Sequence, residues 1–586
     1  MKNYKKIIAA SVAFLTVLSA PSATFADTSV SITVEPEKEI CSISPYIYGV
    51  NSGVDMSKVS PKSFRLGGNR MSAYNWENNM SNAGSDYKHM SDMYLITNAA
   101  DEFKRVPGGA ALDAAKTCTD NDVPYGLLTL QMLGYASSSK RGSVSEDNAA
   151  PSDYWVKVEN RKNEDFSLEP DKKDNAIYMD EYLNYLFEKI GKSDSGGFKG
   201  FALDNEPALW QYTHCRVQTE PLTCLEIVDK SKNLASLVKD MDPGAEVFGP
   251  ALFGYSAYCN FTGTPDWEQL RSDNNYRWFI DYYLDEMNKA EKECGRRLLD
   301  VLDLHFYTEA KGVCGERSCN HYDNDECVKA RLNSVRSLYD PDYREDSWIT
   351  DTGAEFFPLL PNVQQSIDKY YPGTKLAFTE YNFGGGDHIS GAVAEADMLG
   401  IFAEYGVYFA TIWAFDNSEF QLSAINMFTD YDGHGSGFGD TLVESSGKNE
   451  DISIYSSVDS SDPGAVKIIV TNRSLHNSTP VMINLASEEI YENVEVYLLD
   501  GDTPEIKRLD DICEISDNKF EYELPHLSVT EFVVRLKSAA EDTYIFDRSE
   551  NDTDKKTNIP LIAGIGAAAI AAAAGITFLS RWSKKR

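Results

Sequence analysis

The sequence predicts an α/β protein: a (β/α)8 TIM-like barrel joined to a smaller all-β sandwich. Three observations carry this reading. Eight apolar, strand-like runs recur between residues 46 and 415, and helical periodicities separate most of them. Polar residues gather at the C-terminal ends of those runs. Beyond about residue 436 the pattern changes to short strands at regular spacing.

The eight runs are Tyr46–Asn51, Ser63–Asn69, Tyr125–Gln131, Gly200–Glu206, Glu246–Leu252, Asp300–Tyr307, Lys375–Asn382 and Phe409–Phe415. Near-continuous apolar strands suit a parallel sheet covered on both faces. Ala176–Gly191 carries Ile177, Leu183, Leu186 and Ile190 at helical spacing, and Leu222–Met241 and Tyr276–Cys294 also read as helices. Thr223 with Glu226 makes a capping box at the start of the second. Eight such units imply a closed barrel, whose active site lies at the C-terminal strand ends. Asn51, Asn69, Gln131, Glu206, His305, Tyr307 and Glu380 all fall there. The connection after Asn51 is too short for a full helix, so an irregular first unit is expected.

The barrel is assigned to 46–435 and the sandwich to 436–537, with strands at Val466–Thr471, Val481–Leu485, Val494–Leu499 and Glu531–Leu536. Segment 27–45 contains the strand-like Val30–Val34, which is expected to join the sandwich. Residues 1–26 read as a secretory signal peptide: Lys2, Lys5 and Lys6, an apolar stretch from Ile7 to Leu18, then Thr24-Phe25-Ala26. Residues 538–558 form a polar linker. Residues 559–580 are an uncharged apolar run of transmembrane length, and 581–586 a basic tail expected to stay cytoplasmic. No Leu-Pro-x-Thr-Gly motif precedes that run. An extracellular body held at the membrane is therefore expected, rather than one bonded to a cell wall.

The formal charge, 55 minus 91 or −36, repels phosphate backbones and argues against a nucleic-acid partner. A neutral polysaccharide is an easier partner, and a monomer is expected. Ten cysteines lie in the exported part, where disulfides form. Cys314, Cys319 and Cys327 cluster with His321, and loop disulfides are favoured there over zinc because no fourth ligand is evident. Asp430, Asp432 and Asp440 with Gly433 offer oxygens that could hold a structural Ca2+, but a solvated acidic turn is the favoured reading.

Two strings carry the chemistry: Asp204-Asn205-Glu206-Pro207 and Thr379-Glu380-Tyr381-Asn382. Each places a glutamate at the end of a barrel strand. Two carboxyls so placed can cleave a glycosidic bond by double displacement. One protonates the leaving oxygen (Glu206) and the other attacks the anomeric carbon (Glu380). No cofactor is required, and no metal is assigned to the site. Tyr307 is expected to hydrogen-bond Glu380, and His305 to lie at the same rim. Trp76, Trp210 and Trp413 are candidate sugar platforms.

Longer strings sharpen this. Arg65-Leu66-Gly67-Gly68-Asn69, Tyr74-Asn75-Trp76, Leu203 through Trp210, Asp303-Leu304-His305-Phe306-Tyr307, Asp346-Ser347-Trp348-Ile349 and Thr379 through Ser390 occur in this order. Together they resemble glycoside hydrolase family 44, from about Phe64 to Trp413. That resemblance implies a barrel plus sandwich, retention of configuration and attack within β-1,4-glucan chains. It also implies Glu206 as acid/base, Glu380 as nucleophile, and Asn205 near the sugar 2-hydroxyl. Asn69 counts among the expected substrate contacts. The rival activities are a xyloglucanase or mixed-linkage glucanase. The rival from another class is a non-catalytic glycan-binding surface protein.

Overall fold

The computed structural model describes residues 29–311, 323–415 and 417–537. The expected signal peptide, linker, membrane span and basic tail lie outside these residues. Among the described residues no helix is long and apolar enough to cross a membrane.

Eight parallel strands close into a barrel: Gly49–Asn51, Ser63–Leu66, Tyr125–Leu130, Gly200–Leu203, Glu246–Leu252, Val301–Tyr307, Lys375–Asn382 and Phe409–Ile412. These are barrel strands 1 to 8 in chain order. Main helices follow strands 2 to 8, among them Met179–Ile190, Cys224–Met241, Phe279–Cys294, Ile389–Glu404 and Glu419–Thr429. Strand 1 passes directly to strand 2 without one. The Thr223/Glu226 capping box is formed. Several strands are shorter than the predicted runs. Tyr46 and Ile47 sit in a 3-10 turn, Asn69 begins a short helix, and Glu206 lies three residues past strand 4.

The barrel interior is layered. Tyr125, Leu127, Ala202, Phe248, Val301, Ala377 and Phe409 fill its lower end with apolar rings and methyls. Alternation along a strand then carries inward side chains upward into polar layers. On strand 6 this sequence is Val301, Asp303, His305 and Tyr307. On strand 7 the alternation breaks. Leu304 pairs with Phe378, but the next pair is His305 with Glu380, a register shift of one residue. Thr379 faces inward, donating to Asp303 at 2.7 Å. The shift turns Glu380 inward as well and sends Tyr381 outward, where its hydroxyl donates to Glu395 at 2.7 Å. A bulge re-aiming a side chain beside a site is a recurrent use of this irregularity.

The second region is a nine-strand ladder ordered Lys507–Arg508, Tyr491–Leu499, Ser528–Leu536, Ala465–Asn472, Ile452–Val458, Thr441–Ser446, Val30–Ser42, Thr479–Leu485 and Lys519–Leu524. It is more extensive than the five strands predicted. Val30–Ser42 enters it, antiparallel to Thr441–Ser446 and parallel to Thr479–Leu485. Ile454, Ile468 and Phe532 face one apolar core, while their neighbours Tyr455, Ile469 and Val533 belong to the core shared with the barrel. Both faces are thus covered. At the joint, Thr471 donates to Asp397 of helix Ile389–Glu404 at 2.6 Å.

Two further expectations meet the structure here. Cys41, Cys118, Cys215, Cys224, Cys259, Cys294 and Cys513 are free thiols, while Cys314, Cys319 and His321 lie outside the described residues. The acidic segment 430–440 forms a turn closed by its own hydrogen bonds. Asp430 accepts from Gly435 N and Ser60, and Asp432 from His434 N and Ser436. Asp440 turns to Thr441 and Ser460, and among the described residues the three carboxylates do not converge.

Candidate active site

Glu206 and Glu380 meet at the C-terminal mouth of the barrel, with His305 between them. One donor atom from each of the three lies within 4.8 Å of the others. His305 Nδ1 is 2.8 Å from Glu206 Oε1 and 3.5 Å from Glu380 Oε2. Glu206 occupies a left-handed backbone conformation, φ 44°, just beyond strand 4, and its amide donates to Ala251 O at 3.1 Å. Asp204, also at positive φ, anchors the turn. Its buried carboxylate accepts from Ser72, from Met132 N, and from the amides of Asn205 and Leu133 at 2.8 and 2.9 Å. A buried carboxylate satisfied in this way fixes the loop that carries Glu206.

Glu380 is held from both sides. Arg65 Nη1 donates to Oε1 at 2.8 Å and the Tyr307 hydroxyl to Oε2 at 2.9 Å. Arg65 is fully buried, and its guanidinium also reaches Asn51 Oδ1 at 3.0 Å and Asn205 Oδ1 at 2.7 Å. Asn51 in turn donates to Thr379 O at 2.9 Å. One planar cation therefore ties strands 1, 2 and 7 to the loop after strand 4, which a lysine could not do.

These surroundings separate the two carboxyls. Burial, followed by the nearby Glu380 charge, pushes Glu206 above the ordinary carboxyl range despite its bond to His305. Burial also acts on Glu380, but His305 and Arg65, with the hydrogen bonds from Arg65 and Tyr307, outweigh it and hold this carboxyl below the ordinary range. Burial works against the cationic form of His305, yet the two glutamates more than offset it and raise its pKa.

The other predicted residues divide. Asn205 donates to Asn69 Oδ1 at 3.0 Å, so the pair lies beside Glu206. Trp413 is half-buried at the end of strand 8, its ring against Gly68, where φ is +84° and a Cβ would come within 2.7 Å of that ring. Trp76 and Trp210 do not act as platforms: both are 0% exposed. Trp76 stacks on Tyr182 at 5.2 Å, and Trp210 Nε1 donates to Asn205 O at 2.9 Å. A fully buried ring has no face for a sugar. His305 is likewise buried and reaches Glu206 rather than open solvent. Arg65 is the residue whose role sequence reasoning missed. Its signal is a cation inside the apolar run Ser63–Leu66, a position that demands a buried partner. Exposed rings also went unnoticed: Tyr212, 60% exposed and two residues past Trp210, and Phe415, 40% exposed, whose ring centre lies 6.5 Å from that of Tyr307.

A family model described as glycoside hydrolase family 44 matches residues 80–310. The beta-mannanase/endoglucanase A of Caldicellulosiruptor saccharolyticus is 41% identical over 543 residues, covering 89% of this chain and 40% of that protein. The chain thus spans less than half of that relative's length. A crystal structure of a family 44 endoglucanase from Clostridium acetobutylicum is 44% identical, with a TM-score of 0.83 over 86% of this chain and 99% of that one. A family 44 xyloglucanase from Paenibacillus polymyxa, solved with xyloglucan, is 42% identical with a TM-score of 0.83 over 86% and 99%. With this identity across almost the whole of two solved relatives, the chain belongs to glycoside hydrolase family 44.

Proposed function

We propose that the chain is a retaining endo-β-1,4-glucanase, with Glu206 as acid/base and Glu380 as nucleophile. One observation carries this reading: carboxyl oxygens within 4.8 Å of each other whose surroundings shift their pKa values in opposite directions. Retaining enzymes place their carboxyls about 5–5.5 Å apart, whereas inverting enzymes leave about 6.5–9.5 Å for a water. In the first step the Glu206 proton passes to the glycosidic oxygen as a Glu380 oxygen bonds to the anomeric carbon. The leaving chain departs with that proton, and a glycosyl ester remains on Glu380. In the second step Glu206, now a carboxylate, takes a proton from water as the water oxygen bonds to the same carbon, releasing Glu380. Asn205, beside Glu206 and oriented by Arg65, is positioned for the sugar 2-hydroxyl. The exposed rings of Tyr212 and Phe415 and the half-buried Trp413 are the candidate sugar platforms.

A relative solved with xyloglucan supports xyloglucan as the second candidate substrate. The signal-like segment 1–26 and the apolar run 559–580 support an enzyme exported and held at the cell surface. The test incubates the full chain with carboxymethyl cellulose, xyloglucan and xylan, following viscosity, reducing ends and the first-formed anomer by NMR. Rapid viscosity loss with β-anomer released first is expected on a β-1,4-glucan. First release of the α-anomer would overturn retention. Binding to all three polymers without cleavage would favour the non-catalytic reading.

A further inference from the structure

We propose that Glu206, His305 and Glu380 also form a binding site for a zinc-like divalent cation, which excludes polysaccharide from the cleft. The donor set is two carboxylate oxygens and one imidazole nitrogen, with His305 Nδ1 2.8 Å from Glu206 Oε1 and 3.5 Å from Glu380 Oε2. All three donors lie within 4.8 Å of one another. A tetrahedral zinc bonded at about 2.0–2.2 Å holds its ligands roughly 3.4 Å apart, so small side-chain rotations suffice. An imidazole donor favours zinc or copper over Mg2+ and Ca2+, which take oxygen ligands.

A second, independent observation lies beneath the three donors. His305 Nε2 and Asp303 Oδ2 are both buried and both lack a hydrogen-bond partner. Asp303 stands two residues before His305 on the same inward face of strand 6. The hydrolytic steps use neither atom. When Nδ1 binds a cation, Nε2 must keep its proton, and a carboxylate in support of that N–H is the usual second partner of a metal-bound histidine. Thr379 holds the other Asp303 oxygen, and Arg65 and Tyr307 hold Glu380, so the donors are pre-oriented. The Glu206 side chain retains 13% exposure, which leaves the fourth zinc position facing the cleft for water. Zinc would take the place of the proton in the Glu206–His305 hydrogen bond, which leaves to solvent, and would occupy the place of the anomeric carbon.

The competition with substrate rests on the proposed catalytic roles, whereas the binding itself does not. The test titrates the full chain with ZnCl2 by calorimetry, and with Co2+ by visible absorption. We expect zinc binding that saturating cellobiose weakens at least tenfold, four-coordinate Co2+ bands, and at least tenfold weaker binding to both Glu206→Gln and His305→Ala. Asp303→Asn should weaken zinc about 10–100-fold. Circular dichroism checks the fold of each variant; should His305→Ala not fold, Glu206→Gln carries the test. Zinc affinity unchanged in the folded variants overturns the site. If these residues bind zinc but the metal-free chain cleaves no glucan, the site stands and the hydrolase reading falls.

Discussion

The ends of barrel strands 4 and 7 each present a glutamate to the same point, yet they are built differently. Glu206 lies past its strand on a left-handed residue, and its carboxyl has one side-chain partner, His305. Glu380 lies within its strand and has a donor on each oxygen, Arg65 and Tyr307. The first is raised by burial and by the second; the second is lowered because cations and hydrogen bonds outweigh its own burial. Residue type does not assign the roles. The count of donors and the placement of one buried arginine support the roles proposed for them.

The sharpest way to break this comparison is to neutralise each carboxyl in turn. On the proposed mechanism Glu380→Gln removes the attacking oxygen, and it is expected to cut kcat on the order of 10⁴-fold or more on every substrate. Glu206→Gln should lose roughly 10²–10⁴-fold on polysaccharide. It should recover much of that on an aryl glycoside whose leaving group needs no proton. Equal losses on the activated substrate would erase the distinction. Next in size is Arg65→Lys, which keeps a charge but loses the fork. We expect kcat to fall about 10–100-fold, in line with losing one or two charge-assisted hydrogen bonds. The pH profile gives the sign. Glu380 must be ionised and its pKa is depressed, so losing part of that support raises it and moves the acidic limb of kcat to higher pH. The stability that Glu380 contributes is present above its unfolded value of about 4.3 and lost as pH falls through the lower folded value. In the variant that contribution should be smaller, and its loss complete at a higher pH. Tyr307→Phe removes a single donor and should cost about tenfold in kcat, with a smaller shift of the same limb.

The smallest effect on turnover is expected one layer out. Glu395 is fully buried behind Tyr381, and burial, opposed only by the Tyr381 hydrogen bond, pushes its pKa up to about 8. The folded value lies above the unfolded one, so its contribution is intact below about pH 4.3 and is lost as pH rises through about 8. Glu395→Gln should leave kcat within about twofold. It should gain stability over the parent steadily between pH 5 and 8, as followed by urea unfolding. A difference that does not change with pH would mean that Glu395 already ionises in the folded protein.

Much of this architecture was legible because strand spacing, helical periodicity and polar strand ends are local signals. Eight runs, the capping box at Thr223 and both glutamates follow from residue type and order alone. The aromatic assignments did not survive as a set, since Trp76, Trp210 and Trp413 look alike at strand ends and only packing buries the first two. Arg65 was visible as a cation in an apolar strand, but its partners lie 14, 140 and 315 residues away.

By itself, then, the chain order determined which carboxyls face the barrel mouth and which strands bear them. Tertiary structure decided how they work. In strict alternation Glu380 would share the outward face of Phe378 while Tyr381 pointed inward with Thr379. The register slip against strand 6 exchanges them and sets Glu380 beside His305. Such a slip depends on how two strands pair across the barrel, an interaction between residues some 75 positions apart that no local pattern encodes.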